Sequence, residues 1–130
     1  MSRLLLIEDD VSLRRVMAQI LTRAGYTVSE ARNGRVAIKV LAETPIDVVV
    51  TDMIMPEMEG VETIRFLRRE YPAIKIVAIS GGGISSADSY LAIAQKMGVQ
   101  RTLAKPFTPD ELMAAIREAL AQQDNPFSRP

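Results

Sequence analysis

Asp52 stands at the end of an uninterrupted β-branched run, Val48, Val49 and Val50, within the stretch Ile46 to Pro56. Runs of that kind form strands buried on both faces. An ionised carboxylate beside such a core is costly unless it is paired, metal-bound or used chemically, which makes Asp52 a candidate chemical centre. Other polar residues stand in equivalent places: Glu8, Asp9 and Asp10 after the apolar run Leu4 to Ile7, Ser80 after Lys75 to Ile79, and Lys105 after Arg101 to Ala104. The 130 residues include no histidine and no cysteine, so the commonest general base and the usual transition-metal ligands are missing. Gathered carboxylates raise one another's pKa unless a cation joins them. With oxygen donors only, that cation is Mg²⁺, Mn²⁺ or Ca²⁺ rather than zinc, and Mg²⁺ fits best. A carboxylate beside it can accept a phosphoryl group as an acyl phosphate. Lys105 as a point cation and the Ser80 hydroxyl as a donor would neutralise the phosphoryl oxygens.

Each residue taken alone has a plainer reading. Asp52 could begin an ordinary loop, Asp9 and Asp10 could cap a helix, Ser80 could be a loop hydroxyl and Lys105 a solvated surface lysine. Met53, Met55 and Met58 read as packing or an adaptable contact surface rather than a redox or metal site. The joint placement of the polar residues after four separate strands favours chemistry.

The elements that must position these residues follow from periodicity. Strands are expected at Arg3 to Ile7, at Thr27 to Ala31, within the stretch Ile46 to Pro56 through its run Val48 to Val50, at Lys75 to Ile79 and at Arg101 to Ala104. Between them, Leu13, Val16, Met17, Ile20 and Leu21 give a helical stripe ended by Gly25. The Asn33-Gly34 pair marks a turn before a short helix over Val36 to Ala42, and Val61, Ile64 and Leu67 face one way on a helix ended by Tyr71-Pro72. A helix from Ser86 to Met97 follows the Gly81-Gly82-Gly83 run. The last helix starts at Thr108-Pro109-Asp110-Glu111, a capping box with proline at the first helical position, and packs through Leu112, Ile116, Ala119 and Leu120. Alternating strands and helices with short loops predict a doubly wound parallel α/β sheet of five strands, with five helices on both faces. Its ligand site lies beyond the carboxyl ends of the strands, where strand order reverses.

One domain accommodates 130 residues, and Lys plus Arg balance Asp plus Glu at 16 each, which argues against a nucleic-acid-binding surface over the whole domain. No apolar run approaches the roughly 20 residues of a membrane span, and a cytoplasmic domain without membrane insertion is expected. The expected division is a domain over residues 1–122 and a short disordered tail over 123–130.

Four motifs in order resemble the receiver domain of two-component response regulators, of the single-domain chemotaxis type. They are Ile7-Glu8-Asp9-Asp10, Thr51-Asp52 with Met55-Pro56 and Gly60, Ile79-Ser80-Gly81, and Lys105-Pro106-Phe107. The resemblance covers about residues 3–122 and implies a flavodoxin-like strand order, 2-1-3-4-5. It implies that Asp52 is the phosphoacceptor, that Asp9 binds Mg²⁺ directly and Glu8 largely through water, and that the Ile54 backbone carbonyl completes the metal site. Ser80 is then the switch hydroxyl, and Lys105 contacts the phosphoryl group behind a cis bond to Pro106. A histidine kinase or phosphotransfer protein would be the phosphoryl donor. A downstream protein would be the target, reached through the face of the fourth helix, fifth strand and fifth helix, with no direct contact to nucleic acid. The protein would work as a monomer or a phosphorylation-dependent dimer. It would not be an enzyme beyond catalysing its own phosphoryl transfer and loss.

Two positions depart from the family pattern. Thr102 replaces the aromatic residue that receivers usually carry three residues before the lysine, so output is expected to rest on the Gly81 to Gly83 loop and the following helix. Ile54 follows the phosphoacceptor by two residues and cannot orient an attacking water. Two rival readings are a Mg²⁺-dependent phosphatase resembling haloacid dehalogenases and a pseudo-receiver acting only as an interaction module. The first lacks its usual second aspartate at Ile54, and the second is disfavoured by the full acidic set with Ser80 and Lys105. Phosphorylated protein is expected to decay more slowly than an Ile54→Asn variant when the two are followed side by side; equal or faster decay of the parent rejects this.

Overall fold

The computed structural model describes residues 2–53, 60–81, 92 and 94–122. Within them five strands, β1 (Arg3–Ile7), β2 (Thr27–Ala31), β3 (Val48–Asp52), β4 (Lys75–Ser80) and β5 (Arg101–Ala104), form one sheet in the order β2-β1-β3-β4-β5. Every neighbouring pair is parallel. This is the doubly wound order expected, and it reverses between β1 and β3. Four helices are described over most of their length: α1 (Val11–Arg23), α2 (Gly34–Glu43), α3 (Gly60–Glu70) and the C-terminal α4 (Pro109–Ala121). Residues 92 and 94–96, between β4 and β5, are helical as well. The start of that helix at Ser86, Gly82, Gly83, Ile54, Met55, Pro56, Met58 and the tail over 123–130 lie outside the described residues.

Alternation along the strands separates two cores. Leu5, Ile7, Val49, Ile76 and Ala78 face Ala37 and Leu41 of α2 and Ile64 and Leu67 of α3. Leu4, Leu6, Val48, Val50, Val77 and Ile79 face Met17 and Leu21 of α1 and Leu112 and Ile116 of α4. Each of the valine, leucine, isoleucine and methionine side chains among them contributes on the order of 1.5–3 kcal/mol by leaving water. The strands are therefore anchored from above and below, which holds their carboxyl ends rigidly.

Helix starts follow the capping chemistry. Asp10 caps α1 by accepting from the Leu13 N–H at 3.0 Å, so the plainer reading holds for this acid. Thr108 and Glu111 form the expected reciprocal box on α4. The Asn33-Gly34 pair differs from expectation, since it makes no separate turn: Asn33 accepts from the Val36 N–H at 3.0 Å and starts α2 directly at Gly34. An asparagine oxygen placed before a helix satisfies an orphan amide, and that outcompetes the turn. Gly25 follows α1 at φ 105°, as its position implied.

Gly60 brings α3 against the end of β3. A Cβ there would overlap Met53 Cα and lie 2.6 Å from the Asp52 carbonyl oxygen. Both are backbone atoms that cannot swing away. Gly60→Ala is expected to cost about 1–3 kcal/mol of stability through overpacking, read from urea unfolding. Gly81→Ala, whose Cβ would meet the Lys105 side chain 2.7 Å away at Cδ, is expected to cost less.

Candidate functional site

Four strands deliver their last residues, or the residues just after them, to one rim. Glu8 leaves β1 with its backbone N–H bonded to the Ala31 carbonyl (3.1 Å), and its side chain is 2% exposed. Asp52 ends β3 and is 5% exposed, while the next residue, Met53, is buried and bonds its N–H to the Ile79 carbonyl at 2.7 Å. Ser80 ends β4 fully buried, and Lys105 follows β5 with its N–H bonded to the Ser80 carbonyl at 2.8 Å. The Lys105–Pro106 peptide is cis, as the resemblance implied.

The ammonium group of Lys105 lies between two carboxylates, donating to Asp52 Oδ2 at 2.9 Å and to Glu8 Oε1 at 3.2 Å. Asp9 is exposed, yet one of its carboxylate oxygens joins oxygens of Glu8 and Asp52 in a group lying within 4.8 Å of one another. Counted at full ionisation, three carboxylates against one lysine leave a formal surplus of two negative charges (−3 + 1 = −2). A divalent cation balances that surplus, and the all-oxygen donor set suits a hard one. Among the described residues the Ser80 Oγ, although buried, has no hydrogen-bond partner. A buried hydroxyl without a partner costs free energy unless something else engages it.

The electrostatics reflect the crowding. Burial pushes the Glu8 carboxyl up from 4.5 to about 7, and the charge of Asp52 adds to the rise, while the Asp10 amide and Lys105 oppose it. For Lys105, burial pulls the pKa down, but hydrogen bonds and charges from Asp52 and Glu8 outweigh it and hold the lysine above its usual range. Lys105 therefore stays charged across the neutral range, and Glu8 titrates near neutrality.

Asp52, Glu8, Asp9, Ser80 and Lys105 thus converge, whereas Ile54 lies outside the described residues. Thr102 is half-buried opposite Ala78 of β4. Arg14 gave no signal in the sequence. An arginine on the polar side of a helix resembles any solvated one, yet its Nη1 donates to the Glu8 carbonyl at 2.9 Å.

The family model of the response regulator receiver domain matches residues 4–117. This chain is a member of that family. The receiver is 33% identical over 117 residues to chemotaxis protein CheY of Thermotoga maritima, covering 89% of this chain and 95% of that one. It is 36% identical over 122 residues to sensor kinase CckA of Brucella abortus, covering 92% of this chain but only 13% of the kinase. The crystal structure of a response regulator receiver domain protein from Clostridium thermocellum superposes with a TM-score of 0.84 at 27% identity, covering 92% of this chain and 94% of that one. The chain thus spans nearly all of some relatives and a small part of others. No helix among the described residues is long and apolar enough to cross a membrane.

The raised pKa of Glu8 fixes a sign. With chelator present, the folded receiver binds more protons than the unfolded chain between pH 4.5 and about 7. The stability Glu8 contributes is complete below that interval and lost as pH rises through about 7. The urea midpoint of the metal-free protein is expected to fall over this range, and Glu8→Gln to flatten the fall; parallel curves for the two proteins reject the assignment.

Proposed function

We propose that this receiver, spanning residues 1–122, is a phosphorylation-activated switch in a two-component system. Asp52 accepts a phosphoryl group from a histidine kinase or histidine phosphotransfer protein. The observation that carries this reading is the Lys105–Asp52 pair at 2.9 Å inside a group of carboxylates with surplus negative charge. In the transfer, an Asp52 oxygen bonds to phosphorus as the phosphorus–nitrogen bond of the donor histidine breaks. Lys105 is already within reach of the attacking carboxylate and neutralises the oxygens of the arriving group. Ser80, whose hydroxyl lacks a protein partner among the described residues, turns to the new phosphoryl oxygens.

Glu8, Asp9 and Asp52 would hold Mg²⁺, joined by the Ile54 backbone carbonyl that the family resemblance implies. Once bound, the ion supplies charge neutralisation between the carboxylate and the phosphoryl group. The output is a change in the face built from the helix before β5, β5 itself and α4, which controls a downstream protein partner. The receiver works in the cytoplasm, as a monomer or a phosphorylation-dependent dimer, without touching nucleic acid.

Acetyl phosphate and Mg²⁺ followed by intact mass test the reading. A single phosphoryl adduct is expected on the parent and none on Asp52→Asn, with chelator abolishing the adduct. Continuous release of phosphate over many turnovers indicates a phosphatase, and no adduct at all indicates an interaction module that is never phosphorylated.

A further inference from the structure

The Glu8–Asp9 peptide joins two of the three clustered carboxylates, so the plane of that one peptide sets where both side chains begin. Backbone groups hold part of the turn: the Glu8 N–H on the Ala31 carbonyl, and the Asp10 N–H on Glu8 Oε2 at 3.2 Å. The Glu8 carbonyl itself is held by a side chain, Nη1 of Arg14 at 2.9 Å. Arg14 lies in the first turn of α1, its own N–H bonded to the Asp10 carbonyl at 2.9 Å, so it reaches back over the turn that precedes its helix. Its Nε donates to Glu30 Oε1 on β2 at 3.1 Å, with the arginine side chain 14% exposed. Two partners on different elements fix the planar fork.

We propose that Arg14, steadied by Glu30, is a positioning residue for the divalent-cation site, holding the Glu8–Asp9 peptide so that both carboxylates face Asp52. The inference rests on the metal-dependent reading above. Two effects oppose one another. As a positive charge, Arg14 repels a cation, but Glu30 offsets that charge and solvent screens what is left. As a support behind the ligands it strengthens binding, and loss of such supports commonly costs 10–100-fold in metal affinity. The support wins because the ion pair is neutral overall while Arg14 holds the Glu8 carbonyl directly, at 2.9 Å. A lysine carries a compact point charge on a flexible stem and lacks the planar fork that holds these two partners in a fixed geometry.

The test uses Mn²⁺ as the probe, with free ion followed by electron paramagnetic resonance, on the parent, Arg14→Ala, Arg14→Lys and Glu30→Gln. Amide hydrogen exchange of Asp10 in chelator is measured in parallel, because that N–H reports the place of the Glu8 carboxylate. Arg14→Ala is expected to bind Mn²⁺ about tenfold more weakly, with Arg14→Lys and Glu30→Gln in between, and with faster Asp10 exchange in all three. For Arg14→Ala charge alone predicts the reverse, since deleting a cation favours another. Unchanged or tighter binding by Arg14→Ala, with unchanged Asp10 exchange, therefore overturns the inference. A parent that fails to bind Mn²⁺ overturns the metal-dependent reading instead, and Asp10 exchange then still decides whether Arg14 holds the turn.

Discussion

One ammonium group shared by two buried carboxylates sets the terms for this molecule. Lys105 reaches Asp52 at 2.9 Å and Glu8 at 3.2 Å, and both acids are almost wholly removed from water. Buried charges of this kind do little for stability by themselves, because the cost of desolvation consumes most of the attraction. A third acid, Asp9, tips the balance further toward negative. The fold therefore spends stability at this rim, and the two cores on either side of the sheet must supply it.

That burden explains the rigidity of the platform. β1, β3 and β4 are buried along almost their whole length and locked in parallel register, so each delivers its terminal residue to a fixed place. The spacing is tight where chains meet at two glycines. Gly60 lies on the backbone of Asp52 and Met53, and Gly81 lies on the aliphatic stem of Lys105. Strands fix where the charges begin, and these close approaches fix how far the neighbouring segments can press on them.

Most of the architecture was legible in the residues, for a simple reason. Five apolar runs with helical stripes between them leave few ways to bury both faces of a sheet, and the polar residue after each run marks the rim. The convergence of Asp52, Glu8, Asp9, Ser80 and Lys105 was legible by the same logic. What escaped were features that depend on a single hydrogen bond. Nothing in the spacing distinguishes Asn33 as a helix cap from Asn33 as a turn residue, since the same oxygen serves either. Arg14 was silent as well, because its partner is a backbone carbonyl and every residue has one. The titration of Glu8 near neutrality also needed coordinates: it arises from depth of burial beside Asp52, and the sequence shows only adjacency.

The three consecutive acids carry equal charge and unequal reach. Glu8 uses its extra methylene to span from β1 to both the Lys105 ammonium and the Asp10 amide. Asp10 uses its shorter arm to fold back onto the Leu13 amide, a geometry that a glutamate fits poorly. Asp9, between them, is exposed and still brings one oxygen into the group shared with Asp52. Reordering the triplet as Asp-Asp-Glu would keep every charge, yet leave the lysine out of reach on one side and a helix uncapped on the other. Side-chain length, counted in single carbons, is therefore part of what this stretch encodes, and a comparison that scores aspartate and glutamate as equivalent is blind to it.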